Sequence, residues 1–209
     1  MTPLKECLVT GRNREERLHM KKLLLASALA GALLSPIANA ADYVVDYKGA
    51  HASINFKIQH LGYSWLTGRF DKFDGTFNYD ANNVAASKIV MNIDATSINS
   101  NHGERDKHLR NPDVLDTSKF ATAKFVSSSV KDLGNGKLAI MGDLTLRGVT
   151  KPITIDAEKI GEGKDPWGGY RVGFSGKVRL KMADFGIPIN LGPASTHVDL
   201  DLHIEGIRQ

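Results

Sequence analysis

Cysteine is almost absent from this chain of 209 residues, which contains Cys7 and no other cysteine. Cys7 lies in a leader that we expect to be removed, so the mature protein is predicted to have no disulfide, no thiolate nucleophile and no cysteine metal ligand. It is not a lipoprotein cysteine either, because it precedes the apolar part of the leader. The mature protein must therefore be stabilised by packing alone.

Long apolar runs are also scarce, and the clearest one, Leu23 to Leu34, lies near the N-terminus. It follows Met20 and two lysines and is followed by the small residues Ala38 and Ala40, the pattern of a secretory signal peptide. A run of this length is too short for a permanent membrane anchor, which needs about 20 apolar residues. We expect cleavage between Ala40 and Ala41 and release into the periplasm.

The domain organisation predicted from this leader has three parts. Residues 1–19 are polar, lack apolar periodicity and precede a complete signal, so we interpret them as a misassigned N-terminal extension, with the true start at Met20. Residues 20–40 are the cleavable signal peptide. Residues 41–209 form one domain, long enough for a sizeable core.

An excess of basic charge is missing from the predicted mature chain. Removing residues 1–40 takes away six of the 27 basic and three of the 23 acidic residues, which leaves 21 and 20 and a net charge of about +1. The basic character of the whole chain thus belongs mostly to the leader. Charge gives no argument for a nucleic-acid partner.

Alternation of apolar and polar residues dominates after residue 41 and predicts about eight or nine antiparallel strands. Residues 170–182 and 197–205 show it best, and turn sequences such as 134–136 and 165–169 separate the runs. Such strands bury their apolar faces by closing into a barrel or packing as a sandwich. A porin-like membrane barrel is disfavoured by the dense charge on the opposite face and by an interrupting helical segment.

Two features break the alternation. Phe70, Phe73 and Phe77 are out of step, which predicts a bulge near Lys72. Residues 97–119 carry helix signals instead, and we predict a short helical insertion of one or two pieces. Its caps would be Asn101, with Glu104 three residues later, and Asn111 before Pro112.

The helical insertion also contains His102, Glu104, Asp106 and His108, four potential metal ligands. On a helix the residues pair at i and i+4, but the two pairs face different ways, and zinc-hydrolase spacing is absent. We therefore predict no metal site and interpret Arg105 and Asp106 as anchors that tie the helix to the barrel.

Catalytic motifs are equally scarce. The serines at 127–129 lack a nucleophile elbow, and no phosphate-binding glycine loop occurs. His60 shares a strand face with Ile58, so it is a candidate contact for a ligand head group, with Trp65 as its aromatic neighbour. The alternative is an enzyme that uses His60 or the segment from His102 to His108 as acid and base.

Four motifs in order resemble the YceI family of periplasmic proteins. They are 56–65 (FKIQHLGYSW), 104–110 (ERDKHLR), 142–152 (GDLTLRGVTKP) and 165–169 (DPWGG). The resemblance covers residues 42–208. It implies an all-β, lipocalin-like antiparallel barrel of about eight strands whose apolar interior holds a polyisoprenoid or similar long-chain amphiphile. It further implies no enzymatic activity and a link to envelope or alkaline stress.

An eight-strand barrel either fills with side chains or holds one slim ligand, and small residues such as Ala52, Gly142 and Gly176 would leave room. We predict a lipid carrier with no cofactor; the alternative is a structural barrel filled by its own side chains. The sequence leaves both a monomer and a homodimer possible. Alternation and the head-group argument together predict the ligand-binding residues Phe56, Ile58, His60, Trp65, Phe77, Met91, Ile93, Phe125, Leu144, Leu146, Phe174 and Leu180.

Overall fold

The computed structural model describes residues 40–188 and 191–209, which are mostly strand. The strands are β1 (Ala41–Val45), β2 (Ser53–His60), β3 (Ser64–Phe70), β4 (Phe73–Tyr79), β5 (Ile89–Asp94), β6 (Ile98–Asn99), β7 (Thr122–Gly134), β8 (Lys137–Leu146), β9 (Val149–Lys164), β10 (Tyr170–Lys181) and β11 (His197–Arg208). One α-helix, α1 (Gly103–Arg110), lies between β6 and β7, and 3-10 turns occupy Val84–Ala86, Ala95–Ser97, Met182–Phe185 and Pro193–Ser195.

The sheet closes on itself because β11 pairs with β10 on one side and with β1 and β2 on the other. β1 covers the C-terminal end of β11, where Tyr43 is opposite Arg208, and β2 covers its middle, where Ile54 is opposite Leu202. β1 and β2 thus serve as two halves of one barrel strand, as do β3 with β4 and β5 with β6. The result is a closed antiparallel barrel of eight strands, which confirms the predicted fold class.

The bulge predicted near Lys72 is instead an interruption between β3 and β4. Asp71 and Lys72 leave the ladder, and both of their backbone N–H groups donate to Ser97, to its carbonyl oxygen at 3.1 Å and its Oγ at 2.9 Å. β3 pairs with β2 and β6, whereas β4 pairs with β1 and β5. Phe70 and Phe73 break the alternation of apolar and polar residues because one lies at the end of β3 and the other at the start of β4.

The helical insertion contains one helix rather than two pieces. The N-cap of α1 is His102, whose Nδ1 accepts from the Arg105 N–H at 3.2 Å, not the predicted Asn101. Asn111 ends the helix as its C-cap, and the following residues form turns. Among residues 40–188 and 191–209, no helix combines the length and the apolarity needed to cross a membrane.

Arg105 and Asp106 do anchor the helix, through Ser100 just after β6. Asp106 Oδ1 accepts from the Ser100 N–H at 2.7 Å and from its hydroxyl at 2.5 Å, while Arg105 donates to the Ser100 carbonyl at 2.6 Å. Burial alone would raise the pKa of Asp106, but these hydrogen bonds lower it overall. The buried contact fixes α1 across one end of the barrel, which we call the helix end.

The core fills the barrel at the helix end. The 3-10 turn after β10 buries Met182 and Phe185, and Phe185 is only 2% exposed. Arg147 ties this turn to the segment after α1, because its guanidinium donates to the Gly186 carbonyl at 2.5 Å and to the Pro112 carbonyl at 2.9 Å. The opposite end, where residues 80–88 join β4 to β5, is called the β4–β5 end.

Candidate functional site

An internal cavity of about 140 Å³ lies between the filled helix end and the β4–β5 end. Among the described residues no charged side chain lines its walls, and the polar residues there are Asn78, Tyr79, Ser87 and Ser175. Everything else that lines it is aliphatic, aromatic, methionine or glycine. An apolar cavity of this kind favours an apolar guest, so it is the candidate binding site.

Several predicted ligand-binding residues line this cavity. They are Phe77, Met91, Ile93, Phe125, Leu144 and Phe174. Phe174 meets the ring of Phe77 edge-on at 5.9 Å and that of Tyr79 at 5.3 Å, and Tyr43 stacks on Phe77 at 5.1 Å. These rings form one rigid aromatic wall. Their contact with a ligand remains a prediction, but their position on the wall is established.

The remaining predicted residues lie outside the cavity walls. Phe56 is buried against Phe70 near the helix end, and Leu180 is packed in the filled core. Ile58 and Leu146 are partly buried against the same core. Each has an inward-facing position in its strand, but side chains from the turns fill the barrel at that level.

His60 and Trp65 are not brought to the cavity either. His60 is exposed at the end of β2, and Trp65 is 51% exposed, with Lys57 Nζ 4.9 Å from its ring centroid. Leu61 and Tyr63, in the same hairpin, are also exposed. The β2–β3 hairpin contributes no residue to the described cavity walls, and a head-group contact at His60 stays a prediction.

Much of the cavity wall is formed by residues that were not among the predicted ligand-binding residues. The missed residues come chiefly from β8, β9, β10 and β11: Ile140, Ile153, Ile155, Ala157, Val178, Leu200, Leu202 and Ile204. The strand β9 alternates apolar residues, Ile153, Ile155 and Ala157, with polar ones, so this alternation could have identified them as inward-facing. Val84 and Ser87 lie in the β4–β5 connection, where no periodicity marks a face.

Of the small residues predicted to leave room, Gly176 alone lines the cavity. A Cβ atom at Gly142 would lie 2.6 Å from Phe125 Cζ, so the ring already occupies the space above this glycine. Ala52 packs against the core outside the cavity walls. Gly142 therefore accommodates an aromatic neighbour instead of leaving space for a ligand.

Charge approaches the cavity at the β4–β5 end, where Lys159 lies over the ring of Tyr79, 5.8 Å from its centroid. Lys159 Nζ is 3.0 Å from Glu162 Oε1, and this hydrogen bond raises the pKa of Lys159. The ammonium group is therefore already paired with a carboxylate. The rim of the cavity is polar but close to neutral.

A cluster of Asp46, His51 and Glu205 is the one group in residues 40–188 and 191–209 that brings three potential metal ligands together. Arg171 occupies its centre, with Nη1 2.5 Å from Asp46 Oδ2 and 2.6 Å from Glu205 Oε1. The guanidinium also binds Asp165, through Nε at 2.7 Å. A metal ion bound here would have to displace the guanidinium of Arg171, which is always charged. We therefore interpret Arg171 with Asp46, Asp165 and Glu205 as an ion-pair network, which we call the Arg171 clamp.

The candidate ligands of the insertion do not converge. His102 caps the helix, Glu104 pairs with Lys107 at 2.7 Å and Asp106 binds Ser100, while His108 is exposed. No acid and base pair is positioned there around a shared pocket. The arrangement favours a structural segment.

A second hollow, of about 470 Å³, lies on the outer surface between β2, β3 and the residues after β6. Asn55, Lys57, Arg69, Asn101 and Asp201 contribute to its lining. Most of the residues that line it are polar or charged and it is open to solvent, so a long hydrocarbon chain would stay in contact with water there. The internal cavity is the better candidate for an apolar ligand.

Comparison with known proteins agrees with this barrel. The sequence profile of the YceI-like domain matches residues 43–206. A UPF0312 protein from Shewanella denitrificans is 61% identical over 191 residues, which cover 91% of this chain and all of that protein. The crystal structure of the YceI protein of Campylobacter jejuni superimposes with a TM-score of 0.65 at 28% identity, over 73% of this chain and 91% of that one.

A more distant solved structure carries a functional description. It is a polyisoprenoid binding domain from Saccharophagus degradans implicated in plant cell wall breakdown, with a TM-score of 0.59 at 18% identity. The match covers 82% of this chain and all of that domain, and at this identity it shows the fold alone. The profile match and the 61% identical relative show more: this chain is a member of the YceI-like family.

Proposed function

We propose that this protein binds a polyisoprenoid or similar long-chain amphiphilic lipid inside the barrel and carries it through the periplasm. The observation that supports the proposal most directly is the uncharged cavity between the aromatic wall and β9. The polyisoprenoid binding domain from Saccharophagus degradans has the same fold. Membership of the YceI-like family and the polyisoprenoid binding neighbour favour a binding protein over an enzyme.

The affinity of such a site should depend on the length of the apolar chain. Each methylene that moves from water into the cavity contributes about 0.8 kcal/mol, or roughly a fourfold gain in affinity. The cavity of about 140 Å³ matches a guest the size of benzene, so a longer chain requires the walls to move apart; geranylgeraniol should then bind more tightly than farnesol, which is one isoprene unit shorter. The gain stops once the chain is longer than the space inside the barrel.

The direct experiment is organic extraction of protein purified from the periplasm, followed by mass spectrometry of the lipid. Ala157 lines the cavity, so Ala157→Phe should fill it and abolish the co-purified lipid. Ile160 is on the same strand but 70% exposed, so Ile160→Phe is the matched control and should keep the lipid. If Ala157→Phe is unfolded by circular dichroism, the smaller Ala157→Leu replaces it. Wild-type protein that repeatedly yields no lipid and binds neither prenol would refute the proposal.

Export is the second part of the proposal. The predicted signal peptide and residues 1–19 lie outside the described residues, while Ala40 and Ala41 are described and β1 begins at Ala41. Cleavage between Ala40 and Ala41 would leave every strand of the barrel intact. Intact-mass measurement of the periplasmic protein should give a chain that starts at Ala41; a cytoplasmic product that keeps its leader would contradict this.

A link to envelope or alkaline stress is the third part, and it rests on membership of the family. A strain that lacks the protein should grow as the parent does at neutral pH and more slowly at alkaline pH. Equal growth of the two strains at alkaline pH would remove this part without affecting lipid binding.

A further inference from the structure

The β2–β3 hairpin ends in three exposed apolar side chains, Leu61, Tyr63 and Trp65. Their exposed fractions are 50%, 87% and 51%, and all three lie outside the described core and the described cavity walls. A single exposed apolar residue is normal on a protein surface, but three within five residues of one hairpin form a continuous apolar surface. We call these three side chains the hairpin patch.

The hairpin patch lies at the helix end of the barrel. Met182, which is part of the filled core there, donates its N–H to the Thr196 carbonyl at 3.1 Å, directly before β11 begins. The preceding residue, Ser195, donates its hydroxyl to the Gln59 carbonyl at 2.6 Å, so the start of β11 lies beside the end of β2. The tip of the hairpin, residues 60–64, therefore extends beyond the barrel strands at this end.

The backbone of this tip disfavours the leucine that it carries. The Tyr63 N–H donates to the His60 carbonyl at 2.9 Å, and φ is +53° at Leu61 and +83° at Gly62. Positive φ at both central residues is typical of a type I′ turn, for which Asn-Gly is a preferred pair. Positive φ is unfavourable for a bulky residue. The turn geometry alone therefore does not explain Leu61.

Two other turns of the chain show what such a position otherwise carries. Asn135, at φ +53°, is the preferred residue type before a glycine. Arg147, at φ +51°, is not, but its guanidinium donates to the Gly186 and Pro112 carbonyls. Leu61 has neither the preferred side chain nor a place in the described core. A contact outside the chain would account for it.

The charge beside the hairpin patch is positive. Residues 53–70 contain Lys57 and Arg69 and no acidic residue. Arg69 is paired with the aspartate that follows β3, at 2.6 Å, but Lys57 Nζ lies 4.9 Å from the centroid of the Trp65 ring. Asp199, opposite Lys57 in the ladder, is 3.5 Å from an arginine of β10. A negatively charged surface would therefore complement the patch.

We propose that the hairpin patch docks reversibly on an anionic lipid bilayer, with Lys57 beside the negatively charged head groups. Tyrosine and tryptophan combine an apolar ring with a polar group and favour the membrane–water interface, while Leu61 would reach the apolar layer. A stable protein partner needs about 800 Å² on each side, more than three side chains at a hairpin tip provide. This inference goes beyond the proposed function, because it concerns the outer surface and not the cavity.

The test is co-sedimentation of the protein with vesicles of phosphatidylcholine alone, or of phosphatidylcholine and phosphatidylglycerol in equal parts. Wild-type protein should bind the mixed vesicles more tightly, and added salt should weaken this binding. Leu61→Asn should weaken it about fivefold through lost apolar contact. The stability of this variant in urea should be unchanged or higher, since asparagine suits positive φ. Tyr63→Ser, at a position that is 87% exposed, should weaken vesicle binding as well.

Leu133→Asn is the matched control, because Leu133 is 60% exposed and lies at the β4–β5 end, where β7 continues past the start of β5. It should leave vesicle binding unchanged. Emission from Trp65, measured in a Trp167→Phe background that leaves it as the single tryptophan, should shift to shorter wavelength when mixed vesicles are added. Competition against a fluorescent fatty-acid probe without vesicles measures prenol binding, which Leu61→Asn should leave within about twofold.

The outcomes separate this inference from the proposed function. If wild-type protein binds neither kind of vesicle, or if Leu61→Asn and Leu133→Asn bind alike, docking through the patch is refuted. Equal binding to both kinds of vesicle would refute the role of charge. A dimer in analytical ultracentrifugation that Leu61→Asn abolishes would make a second copy of the chain the occupant instead of the bilayer. Protein that binds mixed vesicles but no prenol would refute the proposed function and leave docking in place.

Discussion

Replacing Arg171 by alanine should destabilise the barrel more than any exposed ion pair would. Arg171 holds three carboxylates from separate parts of the chain: Asp46 in the β1–β2 connection, Asp165 in the β9–β10 turn and Glu205 on β11. Asp46 and Asp165 are 5% and 7% exposed at the side chain. Removing the guanidinium leaves these carboxylates buried beside each other without their cation.

The expected loss of stability depends on the hydrogen bonds that Asp46 keeps in the Arg171→Ala variant. Loss of one partner from a buried pair costs about 3–5 kcal/mol, but Arg171 is itself 21% exposed. Asp46 also retains the Gly49 N–H at 2.8 Å and His51 Nδ1 at 2.9 Å. We therefore expect a loss of about 2–3 kcal/mol at neutral pH, below the full range for a fully buried pair.

The pH dependence gives an independent check. Burial raises the pKa of Asp46, but hydrogen bonds from His51 and Arg171 outweigh it and lower the pKa from 3.8 to about 2. A lowered carboxyl pKa stabilises the fold above the unfolded-state value, and this contribution, about 2 kcal/mol, disappears as the pH falls from 4 toward 2. In Arg171→Ala the pKa of Asp46 moves back up, so the stability of the variant should fall less steeply over that range.

Urea unfolding followed by far-UV circular dichroism, at neutral pH and near pH 2.5, measures both effects. The control is Arg179→Ala, because Arg179 is 65% exposed and lies 3.5 Å from Asp199. It should change the free energy of unfolding by less than about 0.5 kcal/mol. If Arg171→Ala behaves like Arg179→Ala, or if its destabilisation is equal at both pH values, the clamp does not stabilise the fold as described.

Two further changes test packing and site placement. A Cβ atom at Gly206 would lie 2.4 Å from Phe77 Cζ, so Gly206→Val should lower the free energy of unfolding in urea by about 2–3 kcal/mol. The control is Gly161→Val, which should lower it much less, because a Cβ atom there meets nothing within 4 Å. Equal losses in the two variants would show that the ring of Phe77 moves aside. Phe174→Ala should weaken prenol binding at least tenfold through lost apolar contact, while Trp65→Ala should leave it within about twofold. A large effect of Trp65→Ala in the same probe-competition assay would place the site at the β2–β3 hairpin instead.

The strands themselves could be predicted because period two survives along most of them. Leu200, Leu202 and Ile204 alternate with Asp201, His203 and Glu205, and the structure places the apolar set on the cavity wall. Alternation is a local property of an extended backbone, so it identifies the inward face without knowledge of the partners. The eight-strand closure also required the motifs of the family, since a sandwich has the same alternation.

Position along the barrel axis could not be predicted in this way. Phe56 and Phe77 have the same inward orientation, yet Phe56 lies in the filled part of the core and Phe77 on the cavity. The filled part of the core includes Phe185, which lies in the 3-10 turn directly after β10, where no strand periodicity marks a buried face. His60 lies outside the cavity walls for the same reason, because alternation identifies the face of a strand on which a residue lies and not its position along the barrel axis.

The two ends of the barrel differ in a way that an amphiphile would detect. At the helix end, Arg147 ties the turn containing Phe185 to the segment after α1, and apolar side chains fill the barrel. At the β4–β5 end the cavity meets Ser87 and Tyr79, and Lys159 lies at its rim. A lipid that entered head first would bury its oxygen among apolar side chains, which is unfavourable without a hydrogen-bond partner. If the proposed lipid binds, its apolar end is therefore expected toward the helix end and its head group toward the β4–β5 end, near the charged rim.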